Sequence, residues 1–179
     1  MMEPSGETER VRAGGDNIVA LFRRAMRQLG GAVCLITARD SQGGPHGMAA
    51  SAVISVSMEP ASLLVSIKRT ASLYPIVSSS GLFCANVVDD SARPLVAMFA
   101  RSERRNERFL SGEWRRGWHG LPYLASALCS VFCAVDAGLE YGTHTLFVGR
   151  VRHVSLTEGG LPLLWIAGGF ATPKLVCHQ

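Results

Sequence analysis

No apolar run in these 179 residues approaches the length of a membrane-spanning helix, so no membrane partner is expected. Aromatic residues are scarce, at 7%. Single-strand nucleic-acid binders interleave exposed aromatics with basic residues, and that pattern is missing, so nucleic acid is not an expected partner either. The net charge of +4 and the pI of about 9.0 point to an anionic ligand without naming it. The arginines at 101, 104, 105, 108, 115 and 116 are interleaved with Glu103 and Glu107, which reads as a solvated helix end. Asp and Glu total 14, and no pair of them stands out for acid–base work. The phosphate-loop, dinucleotide-fingerprint, nucleophile-elbow and zinc-protease patterns are all missing. Five cysteines are an odd count, and Cys34, Cys84, Cys129 and Cys133 lie in apolar runs as small core residues. Cys129 and Cys133 share a strand face, but two further ligands are lacking, so no metal site is expected. The first seventeen residues are polar, without a hydrophobic signal core, and a reducing cytoplasm is the expected setting. With no side-chain nucleophile in view, any reaction is expected to be carried by a cofactor.

What is present suits one folded, turn-rich domain. Apolar residues make up 47% and glycines number 19. Residues 1–15 read as a tail, 16–170 as the domain and 171–179 as a second tail. Asp16 or Asn17 can cap a helix whose apolar positions are Ile18, Phe22, Ala25, Met26 and Leu29, with Arg23, Arg24 and Arg27 on the other side. Strand character follows over Ala32 to Ala38, and the turn cluster from Asp40 to Pro45 makes a hairpin with the next stretch. Leu63 to Ile67, almost wholly apolar, reads as a central strand. Ser72 is placed as the cap of a helix over Leu73 to Ser79, with Pro75 in its first turn and Gly81 at its end. Leu82 to Val88 is a strand, Asp89 to Ala100 a helix, and Arg101 to Gly120 loop or broken helix. Long strands are expected over Ala127 to Asp136 and Thr145 to Val154, and a short one over Leu163 to Ile166. About seven strands, not regularly separated by helices, predict a mainly β fold, an antiparallel barrel with a few short helices.

Pro45 to Pro60 is the stretch on which the rest depends. Read as one strand, it puts Ala52, Ile54 and Val56 on a core face. Ser51, Ser55 and Ser57, with Val53, fall on a face that leaves room for a flat ligand. Downstream, Ser66-Ile67-Lys68-Arg69-Thr70-Ala71-Ser72 leads into a helix start, where hydroxyls, a guanidinium and free N–H groups suit a phosphate. Phe99-Ala100-Arg101 is a third segment able to close on the same place.

These segments carry a resemblance. Pro45-His46-Gly47-Met48 through Ser55-Val56-Ser57-Met58-Glu59-Pro60, Arg69-Thr70-Ala71-Ser72, Met98-Phe99-Ala100-Arg101 and Tyr141 to Val151 resemble, in order, four signatures of the short-chain flavin reductases. The resemblance runs from about Phe22 to Phe170. It implies an FMN-binding split barrel, a homodimer, and hydride transfer from NADH or NADPH to FMN, or FAD, for release to a separate monooxygenase. Carried over, Met48, Ala49, Ala50 and Ser51 would line the isoalloxazine. Lys68, Arg69, Thr70, Ala71 and Ser72 would hold ribityl and phosphate, with Ser66 and Ile67 also among the flavin-binding residues. Phe99, Ala100 and Arg101 would close the site, and His144 would stand by the nicotinamide as the catalytic residue. Three departures bear mostly on the nicotinamide: Thr143 replaces the usual Asp, Ala49 a common Thr, and the tail Trp165 to Phe170 lacks an arginine. They motivate a second reading, a flavin-binding barrel that does not turn over nicotinamide.

Overall fold

The structure, a computed structural model, describes residues 17–175. The expected tail over residues 1–15, Asp16 as a cap, and Cys177 lie outside those residues. Helix α1 (Ile18–Met26) leads into β1 (Gly31–Ala32), β2 (Cys34–Arg39) and β3 (Pro45–Ala50). Strands β4 (Val53–Met58) and β5 (Ala61–Lys68) come next, then α2 (Tyr74–Ser80), β6 (Leu82–Val87) and α3 (Arg93–Phe99). A small hairpin of β7 (Trp114–Arg116) and β8 (Pro122–Leu124) precedes two long strands, β9 (Cys129–Tyr141) and β10 (His144–Leu156). The last elements are β11 (Leu164–Ile166) and β12 (Gly169–Ala171).

Seven strands form one sheet in the order β3-β2-β6-β9-β10-β5-β4, and each neighbouring pair is antiparallel. Its two edges, β3 and β4, are consecutive in the chain and joined by Ser51 and Ala52 alone. A connection that short requires the sheet to curl until its edges meet, which makes a barrel split along the β3/β4 seam. Ser66 N–H donates to Ala52 O at 3.2 Å beside that seam.

Strand β2 shows why two cores form. Its alternate residues Cys34, Ile36 and Ala38 face the barrel interior with Val65, Ile67, Phe83 and Cys133. Val33 and Leu35 face outward into a second cluster with Val96, Phe99, Leu124 and Leu163. Period-2 alternation thus becomes burial on both sides, and α3 is held against the outside of the sheet. On the outer face, beside Leu35, lies a buried polar knot. Asn86 donates to Leu35 O at 2.8 Å and accepts from Ser130 Oγ at 2.8 Å and from Leu124 N–H at 3.0 Å. With every bond made, its burial costs little; unmade, each would cost about 1–3 kcal/mol. Burial pushes the Cys34 and Cys133 thiols up to about 12, so both stay protonated at neutral pH.

Several expectations change. The stretch from Pro45 to Pro60 is two strands, not one. The chain bends at Ser51 and crosses from one edge of the sheet to the other, which resets the alternation, and a bulge between Ser55 and Ser57 shifts it again. As a result Val53, not Ile54 or Val56, packs on the interior core, and Ile54 and Val56 are exposed. Strand β5 is buried as expected but is next to the edge of the order, not central; its inner residues Val65 and Ile67 are covered by Leu73 and Val77. Leu73, not Ser72, occupies the cap position of α2 and makes no side-chain bond, which leaves the Ser72 side chain free for the cleft described below. The helix expected from Asp89 begins as a 3₁₀ turn over Asp90–Ala92, with Ser91 N–H bonded to the Asp89 carboxylate at 3.0 Å, before α3. The β7–β8 hairpin and β12 have no counterpart in the sequence reading.

Candidate active site

A cleft runs along β3, between that strand and the C-terminal end of α3. At one end is a slot of about 200 Å³ lined by Val33, Ala49, Ala50, Ser51, Val96, Ala100, Trp165 and Phe170. It shares Ala49 and Ala100 with a middle cavity of about 390 Å³, which adds Met48, Thr70, Ala71, Ser72, Phe99, Ser102, Arg105 and Arg108. Ser72, Arg105 and Arg108 also border an outer cavity of about 640 Å³ that reaches Pro45 and His46.

The chemistry changes along the cleft. Small side chains at Ala49, Ala50 and Ala100 let a planar group lie against the backbone, and Trp165 and Phe170 close the far end with their rings 5.1 Å apart. At the other end Thr70, Ser72, Ser102 and Arg105 supply hydroxyls and a guanidinium. An apolar slot that opens onto hydroxyls and positive charge fits a flavin, its ring system in the slot and its phosphate at the polar end.

Arg108 holds the two walls together. It is 5% exposed, with its guanidinium carbon 5.8 Å from the Phe99 ring centroid. Nη1 donates to Gly47 O on β3, and Nη2 donates to Arg101 O, just past α3, at 2.8 Å. Burial lowers its pKa, with Arg105 adding to the effect. Phe99 packs directly on β3 because residue 47 is glycine: a Cβ there would lie 2.6 Å from Phe99 Cε1 and 2.9 Å from Ile36 O.

Of the residues singled out in the sequence, Met48, Ala49, Ala50, Ser51, Thr70, Ala71, Ser72, Phe99 and Ala100 come together along this cleft. Phe99 does so as a buried residue stacked on Trp114, with its ring at the wall. The others do not line it. Ile67 is fully buried in the interior core, and Ser66 lies beside the seam. Arg69 turns to the β9–β10 hairpin, bonded to Glu140 Oε2 at 2.9 Å and Gly142 O at 2.8 Å. Lys68 pairs in register with His144, and Arg101 offers its carbonyl to Arg108. His144 opens β10 opposite Lys68, next to the start of the loop that carries Thr70 to Ser72, where Arg69 N–H donates to Thr143 O at 3.0 Å. The Thr143 hydroxyl lies 2.9 Å from His144 Nδ1, so a hydroxyl stands where the family pattern has a carboxylate. Residues missed from sequence are Ser102, Arg105, Arg108, Trp165 and Phe170.

The curled antiparallel sheet and its slot with a polar end define a flavin-binding split barrel. The chain belongs to the flavin reductase like domain family, whose model matches residues 26–174. It is 36% identical over 144 residues to the FMN reductase (NADH) RutF of Cronobacter sakazakii, covering 80% of this chain and 86% of that one. It is 37% identical over 145 residues to the reductase component of the FADH(2)-dependent resorcinol hydroxylase of a Rhizobium species, covering 80% and 81%. Among solved structures, the flavin reductase PheA2 in its native state superposes with a TM-score of 0.79 at 31% identity, over 87% of this chain and 98% of that one.

Proposed function

We propose that this flavin reductase holds FMN in the cleft between β3 and α3 and passes the reduced flavin to a separate monooxygenase. The observation that carries the reading is the continuity of the alanine-lined slot with the hydroxyl- and arginine-lined cavity through Ala49 and Ala100. When bound, the flavin accepts a hydride from the nicotinamide of NADH or NADPH. The protein's part is orientation and exclusion of water. Ala49, Ala50 and Ala100 let the ring approach the backbone, and Thr70, Ser72 and Arg105 anchor the phosphate. His144, steadied by the Thr143 hydroxyl, orients the nicotinamide and donates no proton to the hydride. Anaerobic mixing of NADH with protein and FMN tests this by following the flavin's visible absorbance. Wild type is expected to bleach it, and His144→Ala to do so about tenfold more slowly without loss of the reaction. An unchanged rate and nicotinamide KM would remove His144 from the account.

The active form is proposed to be a homodimer. Apolar side chains on α1 (Phe22, Met26), β4 (Ile54, Met58), β9 (Leu139, Tyr141) and β10 (Leu156) are exposed in the single chain, Met58 by 82%. Exposed apolar side chains mark candidate subunit contacts where they cluster. Sedimentation equilibrium is expected to give twice the 19.2 kDa chain mass; a monomer at micromolar concentration would refute the pairing. A cytoplasmic location agrees with the free, buried thiols of Cys34, Cys84 and Cys133. No helix among the described residues is long and apolar enough to cross a membrane.

A further inference from the structure

A fourth cavity, of about 190 Å³, lies between the turn after β2 and the β7–β8 hairpin. Gly43 and Pro45 line one side, Arg115, Arg116, Gly120 and Pro122 the other, and Phe109 and Trp114 complete the wall. It shares Pro45 and Phe109 with the outer cavity and no residue with the slot or the middle cavity. Its volume is below the range of drug-sized sites, about 300 Å³ upward, so its ligand is small. Pro45, Pro122, Phe109 and Trp114 present flat apolar surface, and the one polar atom of the indole, Trp114 Nε1, is spent on Ser111 O at 2.8 Å.

Two guanidiniums at this cavity carry charge that no carboxylate answers. Arg115 is paired with Glu113. Arg116 gives only Nη2, to Gly43 O at 3.1 Å, and makes no other hydrogen bond among the described residues. Arg39, at the end of β2, runs against Gly120, where a Cβ would lie 3.5 Å from its Nε. That Nε is buried without a hydrogen-bond partner, a costly state for a charged donor. Among the described residues neither Arg39 nor Arg116 is in an ion pair. Asp40, next in the chain, is engaged by His46 Nε2 at 2.9 Å and by the Gln42 and Gly44 N–H groups. We infer that this cavity is a second ligand site, separate from the flavin cleft, and that it takes a small aryl carboxylate. The ring lies among Phe109, Trp114 and the two prolines, and the carboxylate faces Arg116, with the Arg39 charge behind Gly120.

Benzoate is the probe, titrated calorimetrically into the purified protein with and without saturating FMN. One site per chain is expected, with the same Kd in both conditions. Benzyl alcohol, which keeps the ring without the charge, and acetate, which keeps the charge without the ring, should each bind at least about tenfold more weakly. Arg116→Gln, at an exposed position, should raise the benzoate Kd about tenfold and leave the FMN Kd within about twofold. Arg39→Gln should raise the benzoate Kd as well, and a melting curve checks that this half-buried position still folds. Any of three results would overturn the inference: no benzoate binding up to about 10 mM, a benzoate Kd that Arg116→Gln leaves unchanged, or displacement of benzoate by FMN or NADH, which would move it to the flavin cleft. Acetate or benzyl alcohol binding as tightly as benzoate would overturn the ligand class.

Discussion

Ala100→Trp is expected to abolish useful flavin binding while leaving the protein folded. Ala100 is exposed at the end of α3 and lines both the apolar slot and the middle cavity. An indole there occupies the place beside Ala49 and Ala50 where a planar ring system would lie. The account predicts a rise in the FMN Kd of at least about 100-fold, or ~2.8 kcal/mol. The thermal midpoint should move little, because substitutions at exposed positions usually change stability by no more than about 0.5 kcal/mol. Fluorescence titration and a melting curve on one preparation separate the two effects. Normal FMN affinity in a folded variant would place the flavin elsewhere.

Arg108→Ala should damage both fold and site. The substitution removes two donors, to Gly47 O and Arg101 O, and the planar group beside Phe99. Hydrogen bonds from a charged group contribute about 1.5–3 kcal/mol each, so a loss of roughly 2–4 kcal/mol in urea unfolding is expected after relief of the buried charge. FMN affinity should fall about tenfold as the β3 wall parts from α3. Arg108→Lys keeps the charge without the fork, and so should restore stability partly and affinity less. If Arg108→Ala binds FMN normally and unfolds at the wild-type urea midpoint, Arg108 does not set the width of the cleft.

The contrast between these two positions shows what the chain reveals before folding. Ala100 sits in a short motif whose resemblance singles it out, and the structure puts it along the candidate cleft. Arg108 sits among alternating charges, a pattern that describes Arg104 and Arg115 well, since they pair with Glu107 and Glu113. Nothing local separates Arg108 from them, because its partner carbonyl at Gly47 is 61 residues away. The same limit applies at Ser51. Alternation tells two faces apart but not the point where a chain leaves one edge of a sheet for the other, so Ile54 and Val56 were assigned to a core they do not enter. Arg69 was legible as a cation near a helix start. Its attachment to Glu140 depends on the β9–β10 hairpin and was not. Strands β2, β5, β6, β9, β10 and β11, the β2–β3 hairpin and the antiparallel barrel follow from patterning and turn residues, which act locally.

This chain is expected to move hydride from nicotinamide to free flavin. The most direct measurement is steady-state oxidation of NADH in air by the purified protein, with and without added FMN. Slow loss of NADH absorbance is expected with the protein alone, and rapid loss, saturable in FMN, once FMN is added. No oxidation while FMN still binds would contradict it and leave a flavin-holding barrel without turnover, with Thr143 and the tail from Trp165 to Phe170 as the places where the donor's site was lost.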